Sequence, residues 1–304
     1  MLTRQCFKIS LSASLALVLA ASVEAANFTY DGINRRDPVG AVELNTYAAV
    51  GQIQCNRVAT GEPRVSTGFA LDIGQGDAFT LVMTAGHVLR EQSDNKFNLG
   101  CQFFKNGSVR QVELEDKYTG NLVQQETADF IKNDWGATVL RSGPFMQSIP
   151  LSRHSFDELM QLLAADMGEI KLYARNQEPV TGNARVQVSD KCSIWQPTPN
   201  AILGAGHSLY TNCDSASSGS GGALVFEYKD GRVEAIGIMS GSVQTTTSLK
   251  RILGENTGNL SLEDVHHAID LIPSPDTIIN IAVPLIPDMR ESALNALFDE
   301  NLGL

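Results

Sequence analysis

The sequence predicts an all-β protein: two antiparallel barrels in series, followed by a single C-terminal helix. Three observations carry this expectation. Short apolar runs separated by turns recur from about Ala48 onward. They fall in two successive stretches, parted by a helical segment near residue 155. A histidine, an aspartate and a serine, each in a short apolar or glycine-rich frame, come in that order from separate parts of the chain. Strands this short, at this spacing, point to a barrel or sandwich and away from alternating βα units.

The first element is not part of the fold. Arg4 and Lys8 make a basic start, Ile9 to Ala21 an apolar stretch, and Val23-Glu24-Ala25 a small-residue cleavage site. Residues 1–25 therefore read as a secretory signal peptide. The apolar run is interrupted by Ser10, Ser12 and Ser14 and is short for a bilayer span, which takes about 20 residues. Residues 26–45 are polar and turn-rich and read as an arm or pro-segment. One domain is expected over 46–304, with barrels at about 46–145 and 165–285 and the helix at about 288–300.

In the first half, strands are expected at Val50–Ile53, Gly68–Ile73, Thr80–Thr84, Cys101–Phe104, Val109–Leu114 and Gly136–Leu140. Ser155-Phe156-Asp157-Glu158 then opens a helix, with Phe156, Leu159, Leu162 and Leu163 at helical spacing. Strands resume at Ile170–Ala174, Ala184–Val188, Ser208–Asn212, Ala223–Tyr228 and Val233–Met239. Residues 243–275 form a long connection with a short helix expected from Leu262 to Ile269; a loop of that length inside a compact domain is usually functional or disordered. Ile278–Val283 is the last strand, and Met289, Leu294, Leu297 and Phe298 give the final helix an apolar face.

The 304-residue chain is 43% hydrophobic, enough for a packed core, and carries a formal charge of −11. Loss of Arg4, Lys8 and Glu24 with the signal leaves it one unit more acidic. Such a chain does not suit nucleic acid or anionic lipid, because no basic patch offsets the charge. Cys6 leaves with the signal, and Cys55, Cys101, Cys192 and Cys213 remain. An even number in an exported chain favours two disulfides. Of the three possible pairings, Cys55–Cys101 and Cys192–Cys213 are favoured, since each links segments within one half. A zinc site is the alternative, but no close Cys-x-x-Cys pair supports it.

The three framed residues suit acyl transfer. A serine hydroxyl is a poor nucleophile at neutral pH and needs a base, itself oriented by an acid. Gly219, Gly221 and Gly222 let the backbone turn sharply at Ser220, the candidate nucleophile. The N–H groups of Ser218 and Ser220 are candidates for stabilising an oxyanion, where one donor is worth about 3 kcal/mol. His87 follows the apolar run Leu81–Met83, framed by Ala85 and Gly86, and is the candidate base. Asp134 heads the apolar run Trp135–Leu140 and is the candidate orienting carboxylate; Asp129 and Asp116 are alternatives without such a frame.

On these segments the chain resembles the trypsin/chymotrypsin-like serine peptidases, and most closely their bacterial, glutamyl-endopeptidase-like branch. Thr84-Ala85-Gly86-His87 is similar to the family's T-A-A-H, and Asp134-Trp135-Gly136-Ala137 to its D-[IW]-A-L. Gly219-Ser220-Gly221-Gly222-Ala223 is similar to its D-S-G-G-P or N-S-G-S-P. The resemblance runs from about Val50 to the C-terminal helix. It implies two six-stranded antiparallel barrels, a His87–Asp134–Ser220 triad, and an oxyanion hole from the backbone of Ser218 and Ser220.

The chain departs from the family at Gly219, where animal members carry the aspartate that receives a new N-terminus, and it has no Ile-Val-Gly-Gly start. Activation through that ion pair is therefore not expected. Asp214-Ser215 stands where trypsin-like members place the acidic floor of the specificity pocket, which makes an Arg/Lys preference a candidate. Bacterial members also carry such a pair without that preference. Ser240, Gly241 and Ser242 are similar to the family's pocket wall, and Met239 replaces the histidine usual in glutamyl-specific members. The expected activity is a secreted or periplasmic serine endopeptidase, monomeric, acting on peptide or protein substrates without metal or organic cofactor. Two other readings are an HtrA-like quality-control protease and a catalytically inactive binding module of the same fold.

Overall fold

The computed structural model describes residues 36–38, 44–74, 80–91, 95–105, 111–114, 116–120, 122, 132–140, 147–177, 184–195, 208–215, 218–244 and 278–299. Residues 1–25, read as a signal peptide, the connection 245–275 with its expected helix, and Asp129 lie outside these residues.

Two antiparallel sheets form two lobes. The first contains β2 (Val50–Asn56), β3 (Pro63–Asp72), β4 (Thr80–Ala85), β5 (Leu99–Lys105), β7 (Asp116–Thr119) and β8 (Trp135–Leu140). The second contains β10 (Gly168–Gln177), β11 (Ala184–Cys192), β13 (Leu209–Thr211), β14 (Ala223–Tyr228), β15 (Val233–Gln244) and β16 (Ile278–Pro284). Each six-strand framework gains two short strands. The first sheet adds β6 (Gln111–Glu113) and β9 (Ile149–Pro150). The second adds β1 (Arg36–Pro38) and β12 (Ile194–Trp195).

Within the segment read as an arm or pro-segment, β1 pairs antiparallel with β11, and α1 (Leu44–Ala49) leads directly into β2. Sequence periodicity missed β1 because three residues centred on Arg-Asp-Pro carry no apolar alternation. Such a strand exists only through the edge that accepts it.

Several strands are buried on both faces, so they appear in the sequence as unbroken apolar runs. On β4, Leu81 and Met83 join a core shared by both lobes, while Val82 faces the first lobe's own core; Ala85, the last residue of the strand, departs from this alternation and also joins the first lobe's core. On β14, Ala223 and Val225 face the shared core and Leu224 and Phe226 the second lobe's. The period of two thus survives as a choice between two interiors. The disulfide Cys55–Cys101 lies in the first lobe's core and Cys192–Cys213 in the second's, which is the favoured pairing.

Two helices anchor to this framework. α3 (Phe156–Ala164) starts at a capping box: Ser155 Oγ accepts from the Glu158 N–H, and Glu158 accepts from the Ser155 N–H at 2.8 Å. α4 (Ser292–Asp299) buries Leu294 and Phe298 in the shared core, where Leu285 and Val283 also lie.

The bonds from Ser155 hold the Glu158 carboxyl below its ordinary range. A lowered folded value means that the cap's contribution is present above the unfolded pKa and is lost as pH falls through the folded one. Ser155→Ala should cost about 1 kcal/mol in urea unfolding at neutral pH and less near pH 3. Leu294→Ala should cost about 2–5 kcal/mol, because the fully buried side chain leaves a cavity between the lobes.

Candidate active site

The antiparallel register of β4 and β8 brings two distant segments together. Ala85 pairs with Trp135 at one end of the ladder, so the residues just after β4 meet those just before β8. His87 sits there in α2 (Gly86–Leu89), a single turn that follows β4 directly. Gly86 donates its N–H to Asp134 O at 3.0 Å, and a Cβ at Gly86 would stand 2.8 Å from Trp135 O. Glycine is therefore required for this approach. Asp116, the alternative carboxylate, lies on β7 opposite Val139, well along the ladder from His87.

Asp134 is fully buried and accepts three hydrogen bonds. The His87 backbone N–H donates to Oδ1 at 2.8 Å, and His87 Nδ1 lies 2.8 Å from Oδ2. Ser240 Oγ of the second lobe donates to the same Oδ2 at 2.5 Å. The Nδ1 contact is a hydrogen bond with either ring charge state, because the carboxylate can only accept when ionised.

Ser240 occupies this position through a bulge. The register of β15 against β16 shifts between Met239 and Gly241, leaving Ser240 as the extra residue. Its carbonyl accepts from Ser220 Oγ at 3.1 Å. One residue therefore links the carboxylate to the candidate nucleophile. No hydrogen bond joins the His87 ring to Ser220 Oγ among the described residues; the hydroxyl donates to Ser240 O.

The serine loop is clamped against the first lobe. Ser220 O accepts from Ser66 Oγ at 2.6 Å and from Thr67 N–H at 3.0 Å. Ser218 O accepts from Thr67 Oγ1 at 2.7 Å. Gly221, at φ +85°, has no room for a side chain: a Cβ would come within 2.1 Å of Thr67 O and 2.2 Å of Thr84 Oγ1, and 3.1 Å of Ala85 N. These contacts seat Ser220 beside the end of β4, where His87 follows. Gly222 donates to Gly219 O at 2.9 Å, so the Ser220 N–H points the opposite way, free of the turn. Ser218 is at φ +73°, in a region that costs an L residue about 1–2 kcal/mol. His87 and Ser220 are 2% and 5% exposed, so both are buried.

The expected pocket residues belong to the second lobe. Asp214 is 1% exposed, and its N–H donates to Ser189 Oγ at 2.8 Å. Ser215 is buried and its Oγ donates to Asn176 Oδ1 at 3.4 Å. Ser240, which the sequence puts on the pocket wall, turns its side chain to Asp134; Gly241 is buried beside it, and Ser242 lies on β15 opposite Asn280. Asn280 is a functional candidate the sequence reading missed. It is fully buried, its Nδ2 donates to Cys213 O, and its Oδ1 has no hydrogen-bond partner among the described residues. The signal was present, since Asn280 is the lone polar residue in Ile278–Val283. Ser66, Thr67 and Thr84 were missed for another reason: small hydroxyl residues in strands carry no distinctive pattern.

A cation also lies close by. Burial lowers the Arg64 guanidinium below its ordinary pKa, and the charges of Glu91 and Asp134 oppose that shift.

No family profile and no curated protein matches the sequence. Solved structures do match the fold. A thermostable serine protease, AL20, from an extremophilic microorganism is 10% identical, with 80% of this chain and 93% of that one covered, at a TM-score of 0.48. A Glu endopeptidase solved in complex with MPD is 11% identical, with 90% and 96% covered, at a TM-score of 0.52. The second likeness, with the two curled antiparallel sheets, makes this a chymotrypsin-like double-barrel fold.

Gly221→Ala should unseat the serine loop. The clash and the left-handed backbone together should cost at least about 2 kcal/mol in urea unfolding.

Proposed function

We propose that this chain is an exported serine endopeptidase that cleaves peptide bonds through an acyl-enzyme on Ser220. The observation that carries this reading is the buried Asp134 carboxylate, bonded to the His87 ring and, through Ser240, to Ser220. His87 Nε2 takes the proton from Ser220 Oγ as that oxygen attacks the substrate carbonyl carbon. Asp134 holds Nδ1–H and stabilises the imidazolium. The N–H groups of Ser218 and Ser220 receive the carbonyl oxygen as it gains charge. The imidazolium then protonates the leaving amine, and a water activated by the same imidazole releases the acid.

Without substrate, the Ser220 hydroxyl rests on Ser240 O. Rotation about its Cα–Cβ bond releases it toward the imidazole, and such bonds commonly tighten only when substrate is bound. The two disulfides fit an oxidising compartment, in keeping with residues 1–25 acting as a secretory signal. No helix among the described residues is long and apolar enough to cross a membrane.

Basic side chains are the preferred residue on the acyl side of the cleaved bond. Asp214 supplies a buried carboxylate; Asn280, whose Nδ2 donates to the carbonyl of Cys213, the neighbour of Asp214 in the chain, carries an acceptor Oδ1 with no partner among the described residues. A cationic side chain would pair with the Asp214 carboxylate and donate to the Asn280 acceptor.

A fluorophosphonate probe should label wild-type protein on Ser220. Ser220→Ala and His87→Ala should abolish labelling and peptide cleavage while the protein stays folded. Asp134→Asn should reduce kcat by about 10⁴, because the amide favours the wrong imidazole tautomer. Unlabelled wild type with an intact fold would instead make the chain a binding module. In a peptide-library profile, Asp214→Asn should reduce kcat/KM for Arg and Lys substrates by about tenfold to a hundredfold. An unchanged profile would remove the basic preference.

A further inference from the structure

We propose that the Thr67 hydroxyl is the positioning group that keeps the oxyanion hole assembled, by holding Ser218 in a backbone conformation that a serine seldom adopts. The inference rests on the peptidase reading of Ser220. Ser218 lies at φ +73°, a region open to glycine and unfavourable for residues with a Cβ. Among the described residues, its own side chain makes no hydrogen bond that would explain this. The restraint comes from the other lobe.

Thr67, on β3, is fully buried. Its Oγ1 donates to Ser218 O at 2.7 Å and accepts from the Arg175 N–H at 2.9 Å. The proton and one lone pair of this hydroxyl are both engaged, so its direction is set. A single oxygen thereby ties the first lobe, strand β10 of the second lobe and the serine loop together. Thr67 also uses its backbone on both sides: its N–H reaches Ser220 O, and its carbonyl accepts from Thr84 Oγ1 at 2.6 Å. Those backbone bonds do not need the hydroxyl, so removing Oγ1 tests the clamp without removing the strand.

The consequence follows from geometry. With the Ser218 carbonyl pinned, φ decides where the Ser218 N–H points. Relaxation to the ordinary right-handed region near −65° would swing that N–H by roughly 140°, out of the hole. The Ser220 N–H is secured separately by the Gly222-to-Gly219 bond, so the clamp governs one donor of the two. An active site that places a serine here needs an outside restraint; a glycine would not.

The test is a mutant cycle. T67V preserves shape and removes the hydroxyl. It should lower kcat by about 100-fold, the effect of losing one oxyanion donor, with KM little changed. T67S keeps the hydroxyl and should retain most of the rate that T67V loses. T67V/S218G should recover at least about tenfold of the loss, because glycine reaches positive φ unaided. Wild-type kcat in T67V, or a loss that S218G does not relieve, overturns the proposal; the second outcome would make Thr67 a merely structural residue.

A readout independent of activity comes from thermal unfolding. S218G should shift the midpoint more favourably in the wild-type background than in T67V, where the strain is already released. Equal shifts in the two backgrounds overturn the clamp. If wild type neither cleaves peptide nor takes the probe, the peptidase reading fails, and the thermal comparison still decides the clamp.

Discussion

A carboxylate removed from water must be surrounded by donors, and the Asp134 carboxylate has no exposure at all. Its neighbours are therefore tightly constrained. Two of its bonds come from His87, which the β4–β8 register delivers to it. The third comes from Ser240 in the other lobe, which requires the two sheets to be packed before the carboxylate is satisfied. Leaving one such bond unmade inside the protein would cost about 1–3 kcal/mol or more. The burial of one acid thus couples the docking of the lobes to the orientation of the imidazole.

The apolar packing between the lobes makes this coupling possible. Phe69, Leu81 and Met83 from the first sheet meet Val186, Val225 and Ile238 from the second in one core, with Leu294 and Phe298 closing it. Fully burying side chains of this size contributes about 1.5–3 kcal/mol each. That core excludes water from the polar seam alongside it, where Ser66, Thr67, Thr84 and Ser240 make their bonds. Apolar contacts hold the lobes together, while hydroxyl groups set their register to within a hydrogen bond. The site lies where the two kinds of contact adjoin.

Several site residues were legible in the sequence because local chemistry demands them. Gly221 and Gly222 announce a backbone that turns tightly under another strand, and a Cβ at Gly221 would collide with Thr67 O. His87 and Asp134 stand beside apolar runs, so their polarity is conspicuous. Ser240 and Thr67 are different. Each is a small hydroxyl residue in a strand, and only a bulge or a cross-lobe contact gives it a task. Asn280 falls between these cases: it interrupts an apolar run, but its relation to Cys213 depends on strand pairing.

By itself the sequence determined most of the longer strands, which residues are polar within apolar frames, and where the chain must turn without a side chain. These are properties of neighbouring residues, expressed through periodicity and steric exclusion. Only the tertiary structure decided which carboxylate meets His87, which backbone carbonyl receives the Ser220 hydroxyl, and what supports Ser218 at positive φ. Those depend on strand register, on the bulge at Ser240 and on the docking of one sheet against the other. They arise from contacts between residues as many as 154 positions apart, as in the bond from Ser66 to Ser220. No local pattern encodes such a contact, because it forms only when both lobes are folded and packed.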